Sequence, residues 1–322
     1  MRVHHLNCIS ACPLGGLLMD GLSLARIRGR LTSHCLLVEA GRELVLVDTG
    51  YGLRDVHDPY GRLSKFFLAL NRPELREEMT AIRQIRRLGF DPRDVRHIVL
   101  THLDFDHAGG LDDFPHARVH MLADERDSAL AQATMLDRMR YRPQQWSTRA
   151  NWCVYRGHGG DPWFGFDCVR ELVGLPPEIV LVPLVGHTLG HAGVAVRRDH
   201  DWILLAGDAY FYHAEMDPAR PRCTPGLRFY QTLMEKDRRA RLLNQARLRA
   251  LRRDQGDKVT IVCAHDLREF ERAARRPFDA PAGPGRAPAV EGVRGELRAP
   301  GPQEAWPSPR SSWAHRAAPQ PG

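Results

Sequence analysis

Four side chains of the kinds that bind metal ions lie within six consecutive residues of this sequence. The segment "VRHIVLTHLDFDHAGG" places His102, Asp104, Asp106 and His107 directly after a β-branched apolar run. In an extended turn, the side chains at 102, 104 and 106 can share one side while His107 reaches around it. Imidazole suits zinc and iron, whereas carboxylates shift the preference toward harder ions. A segment with this spacing can supply ligands to two ions rather than one.

Other apolar runs also end in possible metal ligands. "VLVDTG" ends at Asp48, "LVPLVGH" at His187, "ILLAGD" at Asp208, and "IVCAHD" delivers His265. Side chains at strand ends can converge on one edge of a sheet although they are far apart in sequence. Asp208 is the natural bridge, because one carboxylate has two oxygens and can face two cations. Each of these residues alone fits a turn or a core position better, but together they favour a metal site.

The surrounding sequence predicts a layered α/β fold. "HCLLVEA" and "ELVLVDTG" flank Gly41-Arg42 and predict a hairpin. The segment "ELREEMTAIRQIRRLGF" has a helical periodicity and ends at Gly89, which suits a left-handed C-terminal position. Its apolar face is Leu75, Met79, Ile82, Ile85 and Leu88. Further strands are predicted in "RHIVLTH", "ARVHML", "EIVLVPL", "GVAVRR", "DWILLAGD" and "KVTIVCAHD".

Composition sets the domain limits. Residues 277–322 are rich in Pro, Gly, Ala and Arg without apolar periodicity, which predicts a disordered tail after a domain at 1–276. Within the domain, residues of about 135–175 form an aromatic-rich insertion. Such a segment could cap the metal site and supply an apolar acyl pocket. Its aromatic residues include Tyr141, Trp146, Trp152, Trp163 and Phe164.

Charge and cysteine content indicate the compartment and the partners. No apolar run is long enough for a bilayer, and "MRVHHLNCIS" has no apolar core of a signal peptide. Seven cysteines without C-x-x-C spacing do not form a disulfide framework, so we expect a cytoplasmic protein with no membrane partner. The net charge of +7 comes largely from residues 235–254, an amphipathic helix with Leu242, Ala246 and Ala250 on its apolar face. We expect this helix to be solvated rather than to bind nucleic acid.

The motifs, taken in order, resemble the metallo-β-lactamase superfamily from about residue 30 to 270. The matching segments are "VLVDTGYG", "THLDFDHAGG", "GHTLGH", "AGDAY" and "CAHD". The resemblance implies a four-layer αββα sandwich with a dinuclear site along one edge. It assigns His102, Asp104 and His187 to the first metal ion, and Asp106, His107 and His265 to the second. Asp208 would bridge the ions and Asp48 would support the site, whereas His191 would be structural.

This sequence departs from the family at Asp104, because most hydrolases of the superfamily carry histidine there. The added negative charge should lower the Lewis acidity of the first ion. Zinc is the expected metal, and Asp104 brings iron or manganese into consideration. The flavodiiron proteins of the superfamily also use a carboxylate at this position, but no flavodoxin domain follows here.

The chain most resembles the acyl-homoserine lactone lactonase branch of the superfamily. The implied reaction is the opening of an ester or lactone by metal-bound hydroxide on a small molecule that carries an acyl group. Asp106 and Asp208 would take part in catalysis. The lactonases have a tyrosine three residues after the bridging aspartate, where this chain has Phe211, so Tyr210 or Tyr212 is expected to hydrogen-bond the substrate.

Three other activities of the same fold remain open at the level of sequence. A glyoxalase-II-type thioesterase would use the same ligands. A phosphodiesterase or nuclease would draw on the basic helix at 235–254. A non-hydrolytic diiron redox protein would draw on Asp104. The sequence does not indicate an oligomeric state.

Overall fold

The computed structural model describes residues 1–146, 151–156 and 161–283. Among these residues, twelve strands form two six-stranded sheets. The first sheet has the order β1-β2-β3-β4-β5-β6, with β3 to β6 parallel to one another. Its strands are β1 (Arg2–Asn7), β2 (His34–Ala40), β3 (Glu43–Val47), β4 (Val95–Val99), β5 (Arg118–Leu122) and β6 (Trp152–Tyr155).

The second sheet has the order β12-β11-β10-β9-β8-β7. Only its β11 and β12 are parallel neighbours. Its strands are β7 (Asp161–Trp163), β8 (Phe166–Glu171), β9 (Ile179–Pro183), β10 (Ala192–Arg197), β11 (Trp202–Leu205) and β12 (Val259–Val262).

Eleven α-helices connect and cover the sheets in the part of the chain that is described. They are α1 (Leu17–Asp20), α2 (Leu53–His57), α3 (Pro59–Arg62), α4 (Lys65–Asn71), α5 (Ala81–Arg87), α6 (Phe105–Ala108), α7 (Ala123–Ala131), α8 (Met135–Arg140), α9 (Pro225–Met234), α10 (Arg238–Gln255) and α11 (Leu267–Ala274). A membrane crossing needs a longer apolar helix than any found among the described residues.

Alternate residues of β3 face two different cores, which is the expected result of the two-residue period of a strand. In β3, Val45 and Val47 pack between the sheets against residues of the second sheet such as Leu205. The intervening Leu44 and Leu46 face outward and pack with Ile85 of α5. On the far side, the outer face of the second sheet packs against Leu248 and Leu251 of α10. The arrangement is therefore the αββα sandwich expected from the sequence resemblance.

The local turn signals also form as expected. β2 and β3 pair through Ala40 and Glu43, and Gly41 between them has a φ of +69°. Gly89 follows α5 with a φ of +92°, a conformation in which glycine carries no side-chain penalty. The helix itself is shorter than the periodicity indicated, because residues 77–79 form a separate 3₁₀ turn before it.

The predicted insertion at 135–175 contributes α8, β6, β7 and β8, although residues 147–150 and 157–160 lie outside the described part. Its tryptophans pack in the outer cores. Trp146 packs edge-on against Trp152, and Trp163 packs edge-on against Trp202. The part of the insertion that lines an apolar cavity near the ligand edge is α8, through Leu136 and Met139.

The folded domain continues beyond residue 276, where the sequence predicted the tail to begin. Ala282 is buried in the core under α5, and its backbone N–H donates to Gln84 at 2.8 Å. The side-chain amide of Asn7 donates to the carbonyl of Phe278 at 2.8 Å. Residues 277–283 are therefore part of the domain, and the rest of the predicted tail lies outside the described residues.

Candidate metal centre

The two groups of parallel strands bring the candidate ligands to one edge of the sandwich. β3 and β4 run side by side, so Asp48 and His102 follow neighbouring strand ends. β11 and β12 do the same for Asp208 and His265. The short helix α6 begins directly after Asp104 and carries Asp106 and His107.

The candidate ligands form three groups, and within each group the ligand atoms lie within 4.8 Å of one another. These groups are His102 with Asp104 and His187, His102 with His107 and Asp208, and Asp106 with His107 and His265. The residues are buried except for Asp106, which is partly exposed. The structure thus brings together all seven residues that the sequence singled out as candidate metal ligands.

Asp208 lies between the two sets of ligands: Oδ1 faces histidines of the second set and Oδ2 faces those of the first, while Nε2 of His265 is also 3.2 Å from Oδ2. Oδ1 is 3.0 Å from Nε2 of His265 and 3.3 Å from Nε2 of His107. Oδ2 is 3.3 Å from Nε2 of His187 and 3.8 Å from Nε2 of His102. A carboxylate in this position is able to contact one cation with each oxygen.

Several of the converging atoms have no hydrogen-bond partner among the described residues, although they are buried. They are Nε2 of His102, Nε2 of His107, Oδ1 of Asp104 and Oδ1 of Asp208. A buried polar atom without a partner costs about 1–3 kcal/mol unless something else satisfies it. Imidazole nitrogens and carboxylate oxygens are ligands of zinc and related ions, so the chemistry of this set fits divalent metal ions.

A second layer of hydrogen bonds orients the imidazoles. The ring Nδ1–H of His107 donates to Oδ2 of Asp48 at 2.8 Å, which leaves Nε2 facing Asp208. Nδ1 of His265 donates to the carbonyl of Thr32 at 2.6 Å with the same result. Asp48 also accepts from the backbone N–H and the hydroxyl of Thr101, at 2.7 and 2.8 Å. Its φ of +54° is rare for a non-glycine residue, and these bonds stabilise it.

His191 uses both ring nitrogens away from the ligand set. Nδ1 donates to the carbonyl of Leu184 at 2.9 Å, and Nε2 accepts the backbone N–H of Asp208 at 2.9 Å. No ring nitrogen of His191 is left for a metal ion. Its contact with Asp208 fixes the backbone of that residue, as expected for a structural histidine.

Burial and neighbouring charges act in opposite directions on the pKa values of several residues in the cluster. Burial lowers the pKa of His102 well below its ordinary value, so this imidazole is neutral and keeps a lone pair. Burial alone would raise the pKa of Asp104, but the Arg140 guanidinium and His102 hold it well below its usual range. Burial also opposes the charge of His107, yet the carboxylates of Asp208 and Asp48 raise its pKa well above the ordinary value.

The family comparison agrees with this geometry. Residues 28–265 match the family described as the metallo-beta-lactamase superfamily. The chain belongs to the metallo-β-lactamase superfamily. A probable metallo-hydrolase of Mycobacterium tuberculosis is 42% identical over 266 residues, which cover 83% of this chain and 80% of that protein. These findings confirm the superfamily resemblance seen in the sequence and identify the chain as a metallo-hydrolase of this fold.

Lactonases occur among the other relatives from this superfamily. An N-acyl homoserine lactonase of Bacillus thuringiensis is 26% identical over 205 residues, covering 62% of this chain and 74% of the lactonase. A solved N-acyl homoserine lactone hydrolase, with N-hexanoyl-L-homoserine bound at its catalytic metal centre, has a TM-score of 0.63 and 21% identity. The alignment covers 85% of this chain and 96% of that one. This structural likeness supports the shared fold.

The tyrosines expected to contact substrate lie elsewhere in this member of the superfamily. Tyr210 is fully buried in the outer core of the second sheet, and its hydroxyl donates to Oε2 of Glu269 at 2.8 Å. Tyr210 therefore does not face the ligand edge, which corrects the expectation. Tyr212 packs around Phe211 with residues such as Met19, and its ring is 4.3 Å from His213. Among the described residues, no contact joins the Tyr212 hydroxyl to a candidate ligand, and its substrate role stays a prediction.

Phe211 and Tyr230 are the aromatic residues beside the ligands. The Phe211 ring stacks on His265 at 5.0 Å and lies 5.5 Å from the ring of Tyr230. Burial raises the pKa of the Tyr230 hydroxyl well above its ordinary value, and the charges of Asp106 and Asp208 raise it further. Tyr230 could not be recognised from the sequence, because it lies on α9, 22 residues after Asp208 and outside every motif.

Two buried charged residues outside the motifs also contact the ligand loops. Glu125 of α7 accepts the backbone N–H of Leu103 at 2.9 Å and the hydroxyl of Thr188 at 2.5 Å. Arg140 at the end of α8 donates to Oδ2 of Asp104 at 2.9 Å. Both residues are separated in sequence from the loops they contact, and neither lies in a metal-ligand motif.

Proposed function

We propose that this metallo-hydrolase opens esters or lactones that carry an apolar acyl group. The observation that carries the proposal is a set of buried, unpartnered ligand atoms that borders on an apolar cavity. We propose His102, Asp104 and His187 as ligands of a first ion, Asp106, His107 and His265 as ligands of a second, and Asp208 as the bridge. Metal ions bound there would activate a water molecule and polarise a carbonyl group.

The apolar cavity lies between α4, α8 and α9 and has a volume of about 100 Å³. Phe67, Phe105 and Leu233 line it, and Arg140 and Tyr230 form its border with the ligand edge. Each methylene buried in such a cavity contributes about 0.8 kcal/mol. The cavity supports an acyl substituent as the part of the substrate that lies next to the reacting group.

Tyr230 takes the role that the sequence assigned to Tyr210 or Tyr212. Its side chain lines the acyl cavity. The high pKa of Tyr230, which results from burial and the nearby carboxylates, keeps the hydroxyl protonated. The hydroxyl is therefore able to donate a hydrogen bond to a substrate oxygen as negative charge develops on it.

The substrate assay compares three classes of bond on one preparation. Full-length protein, with its metal content measured, is given N-acyl homoserine lactones of increasing chain length, linear acyl esters, acyl thioesters and phosphodiesters. We expect the protein to open lactones, which is measured by the release of protons. The KM should fall as the acyl chain lengthens. Asp208→Ala should abolish it, and Asp257→Ala, a change at an exposed carboxylate, should not.

The outcomes separate the alternatives. Metal-loaded protein that opens no lactone and hydrolyses no linear acyl ester would overturn the proposal. Faster cleavage of thioesters than of any lactone would instead indicate a glyoxalase-II-type enzyme. Full activity in an iron-free zinc preparation would exclude a diiron redox role, and activity on phosphodiesters alone would indicate the nuclease alternative.

A further inference from the structure

Arg140 is a fully buried cation in direct contact with the candidate ligands of the first ion. Its side chain is 0% exposed. Nη2 and Nε both donate to Oδ2 of Asp104, at 2.9 and 3.2 Å. Nη1 donates to the carbonyls of His187 and Met234, at 3.0 and 3.2 Å. The guanidinium therefore joins the end of α8 to Asp104, to the His187 loop and to the C-terminus of α9.

The same guanidinium also engages the ring of His187. Nη2 of Arg140 lies 2.8 Å from Nε2 of His187. A guanidinium group has only donors, so this contact requires the imidazole nitrogen to accept, although the same nitrogen lies 3.1 Å from the Oδ2 of Asp104 that Arg140 also contacts. A neutral imidazole has a single lone pair on that nitrogen, and a metal ion would need the same lone pair. Arg140 and a cation at the first set of ligands thus compete for His187.

Arg140 also offsets the charge of Asp104. An aspartate alone would add a negative charge to the first set of ligands and strengthen its attraction for a cation. The Asp104–Arg140 pair has no net charge, and in this respect it equals the neutral imidazole that most hydrolases of the superfamily have at position 104. The electrostatic gain from the aspartate is therefore largely removed.

The second set of ligands has no such cation. Within the described part of the chain, no arginine or lysine is hydrogen-bonded to Asp106, His107 or His265. Nε2 of His107 and Oδ1 of Asp208 have no hydrogen-bond partner there. The carboxylate of Asp48 lies behind His107 and adds negative charge to the same side. Unpartnered ligand atoms also occur in the first set, at Nε2 of His102 and Oδ1 of Asp104, so the two sets differ in the buried Arg140 cation.

We propose that Arg140 makes the two metal sites unequal, so that the chain fills the site of Asp106, His107 and His265 first and holds the second equivalent weakly. Arg140 acts here as a positioning residue through Asp104 and His187. The inference concerns metal binding and does not depend on which substrate the enzyme cleaves.

The test is a titration of the metal-free, full-length chain with Co²⁺. Binding is monitored by the absorption spectrum of the bound Co²⁺ and by calorimetry. We expect two binding steps whose affinities differ by about tenfold or more. Asp104→Ala should remove the weaker step, and His265→Ala should remove the tighter one. Two equal steps, or a weaker step that survives in Asp104→Ala, would overturn the proposal without any variant of Arg140.

Variants of Arg140 then test the cause. Arg140→Met frees the lone pair of His187 and removes the offsetting charge, so it should tighten the weaker step by about 10–100-fold. Arg138→Met makes the same change at an exposed position of α8 and should alter neither step. Arg140→Lys keeps the charge but not the forked donors, and it should lie between the native chain and Arg140→Met.

The variant Asp104→His, alone and combined with Arg140→Met, completes a double-mutant cycle for positions 104 and 140. With Arg140 present, a neutral ligand at position 104 leaves the guanidinium without its counter-charge, so the weaker step should weaken further. Asp104→His combined with Arg140→Met should restore it. A folded Arg140→Met protein whose weaker step is unchanged or weaker, or a double variant no better than Asp104→His, would contradict the role given to Arg140.

Discussion

Asp104 and Arg140 together determine the metal preference of this site. The aspartate alone favours a harder ion such as iron or manganese. The guanidinium 2.9 Å away neutralises that charge, so the argument for a harder metal loses most of its force. The ring nitrogens of His102, His107, His187 and His265 then dominate the ligand set, and zinc remains the expected metal.

Tyr230 offers a test of the catalytic hydroxyl at the scale of one residue. If it stabilises negative charge on the substrate, Tyr230→Phe should lower kcat by about 100-fold while KM and the metal content change little. Tyr210→Phe is the matched control, because its hydroxyl is bonded to Glu269 in the core. That variant should lose stability but keep its activity. Steady-state kinetics of both proteins with equal metal content would decide, and equal rates would leave Tyr230 as a packing residue only.

The residues recognised from the sequence and those that were missed differ in one physical respect. His102, Asp104, Asp106 and His107 could be identified because a single turn sets their spacing. Arg140 and Tyr230 reach the same place from α8 and α9, and only tertiary packing brings them there. The mistaken assignment of Tyr210 has the same origin, since proximity to Asp208 in sequence does not determine the face of the chain on which a side chain lies.

At the scale of elements, α7 holds two ligand loops together through Glu125. One of its oxygens accepts from Leu103, beside His102, and the other from Thr188 and from the N–H of Gly190. Gly190 allows this approach, because a Cβ there would lie 2.0 Å from the backbone nitrogen of Glu125. The helix thus sets the distance between the loops that contain His102 and His187.

Glu125→Gln should disturb that arrangement while changing few atoms. The amide keeps one acceptor for Leu103 but places an N–H₂ group against the N–H of Gly190, so buried donors lose their acceptor. We expect a loss of about 1–3 kcal/mol in the free energy of unfolding, together with weaker metal retention. Urea unfolding and metal analysis after dialysis measure the two effects. Asp124→Asn, an exposed change on the same helix, should show neither, and an equal response of both variants would contradict the role of Glu125.

The helix α10 was predicted correctly, but the side of it that is buried was not. The sequence predicted a helix at 235–254 with Leu242 on its apolar side, and the helix forms, but Leu242 is 45% exposed. The buried side includes Arg241 and Gln245. Arg241 donates to Glu235 at 2.6 Å, and Gln245 donates to the carbonyl of Ala209 at 3.0 Å. Hydrophobic periodicity does not predict the burial of polar side chains that have buried hydrogen-bond partners.

For the whole molecule, the order of strands explains why the fold could be predicted better than the site. The apolar runs that end in Asp48, His102, Asp208 and His265 are strands of parallel pairs, so their ends must meet at one edge. That consequence follows from topology and does not require any side-chain contact. The partners of Asp104 and the acyl cavity depend instead on how α4, α8 and α9 close over the edge, which local sequence does not encode.

Two pairs of buried histidines make the stability of the whole molecule depend on pH. Nδ1 of His97 is 2.8 Å from Nε2 of His120, and Nδ1 of His5 is 2.9 Å from Nε2 of His34. Burial, followed by the charge of His97, lowers the pKa of His120 to about 3, and burial with Arg198 lowers the pKa of His5 to about 3. In the unfolded chain both pKa values return to about 6.5. Between pH 6.5 and pH 3 the unfolded state therefore binds more protons, and acid favours unfolding.

The stability that these histidines contribute is fully present above pH 6.5 and is lost as the pH falls toward 3. Each histidine kept neutral should cost about 1.4 kcal/mol of unfolding free energy per pH unit in that window.

His120→Gln removes one of these histidines. The variant should be less stable than the native chain at pH 7.5, because Tyr155 and His97 lose their partner. That difference should shrink by about 1.4 kcal/mol for each pH unit below 6.5. Urea unfolding of both metal-free proteins from pH 7.5 to pH 5 measures it, since the metal ligands are common to both. A difference that stays constant across this range would mean that the pKa of His120 is not lowered in the folded protein, and any acid sensitivity would have to come from other groups, such as His5 and His34.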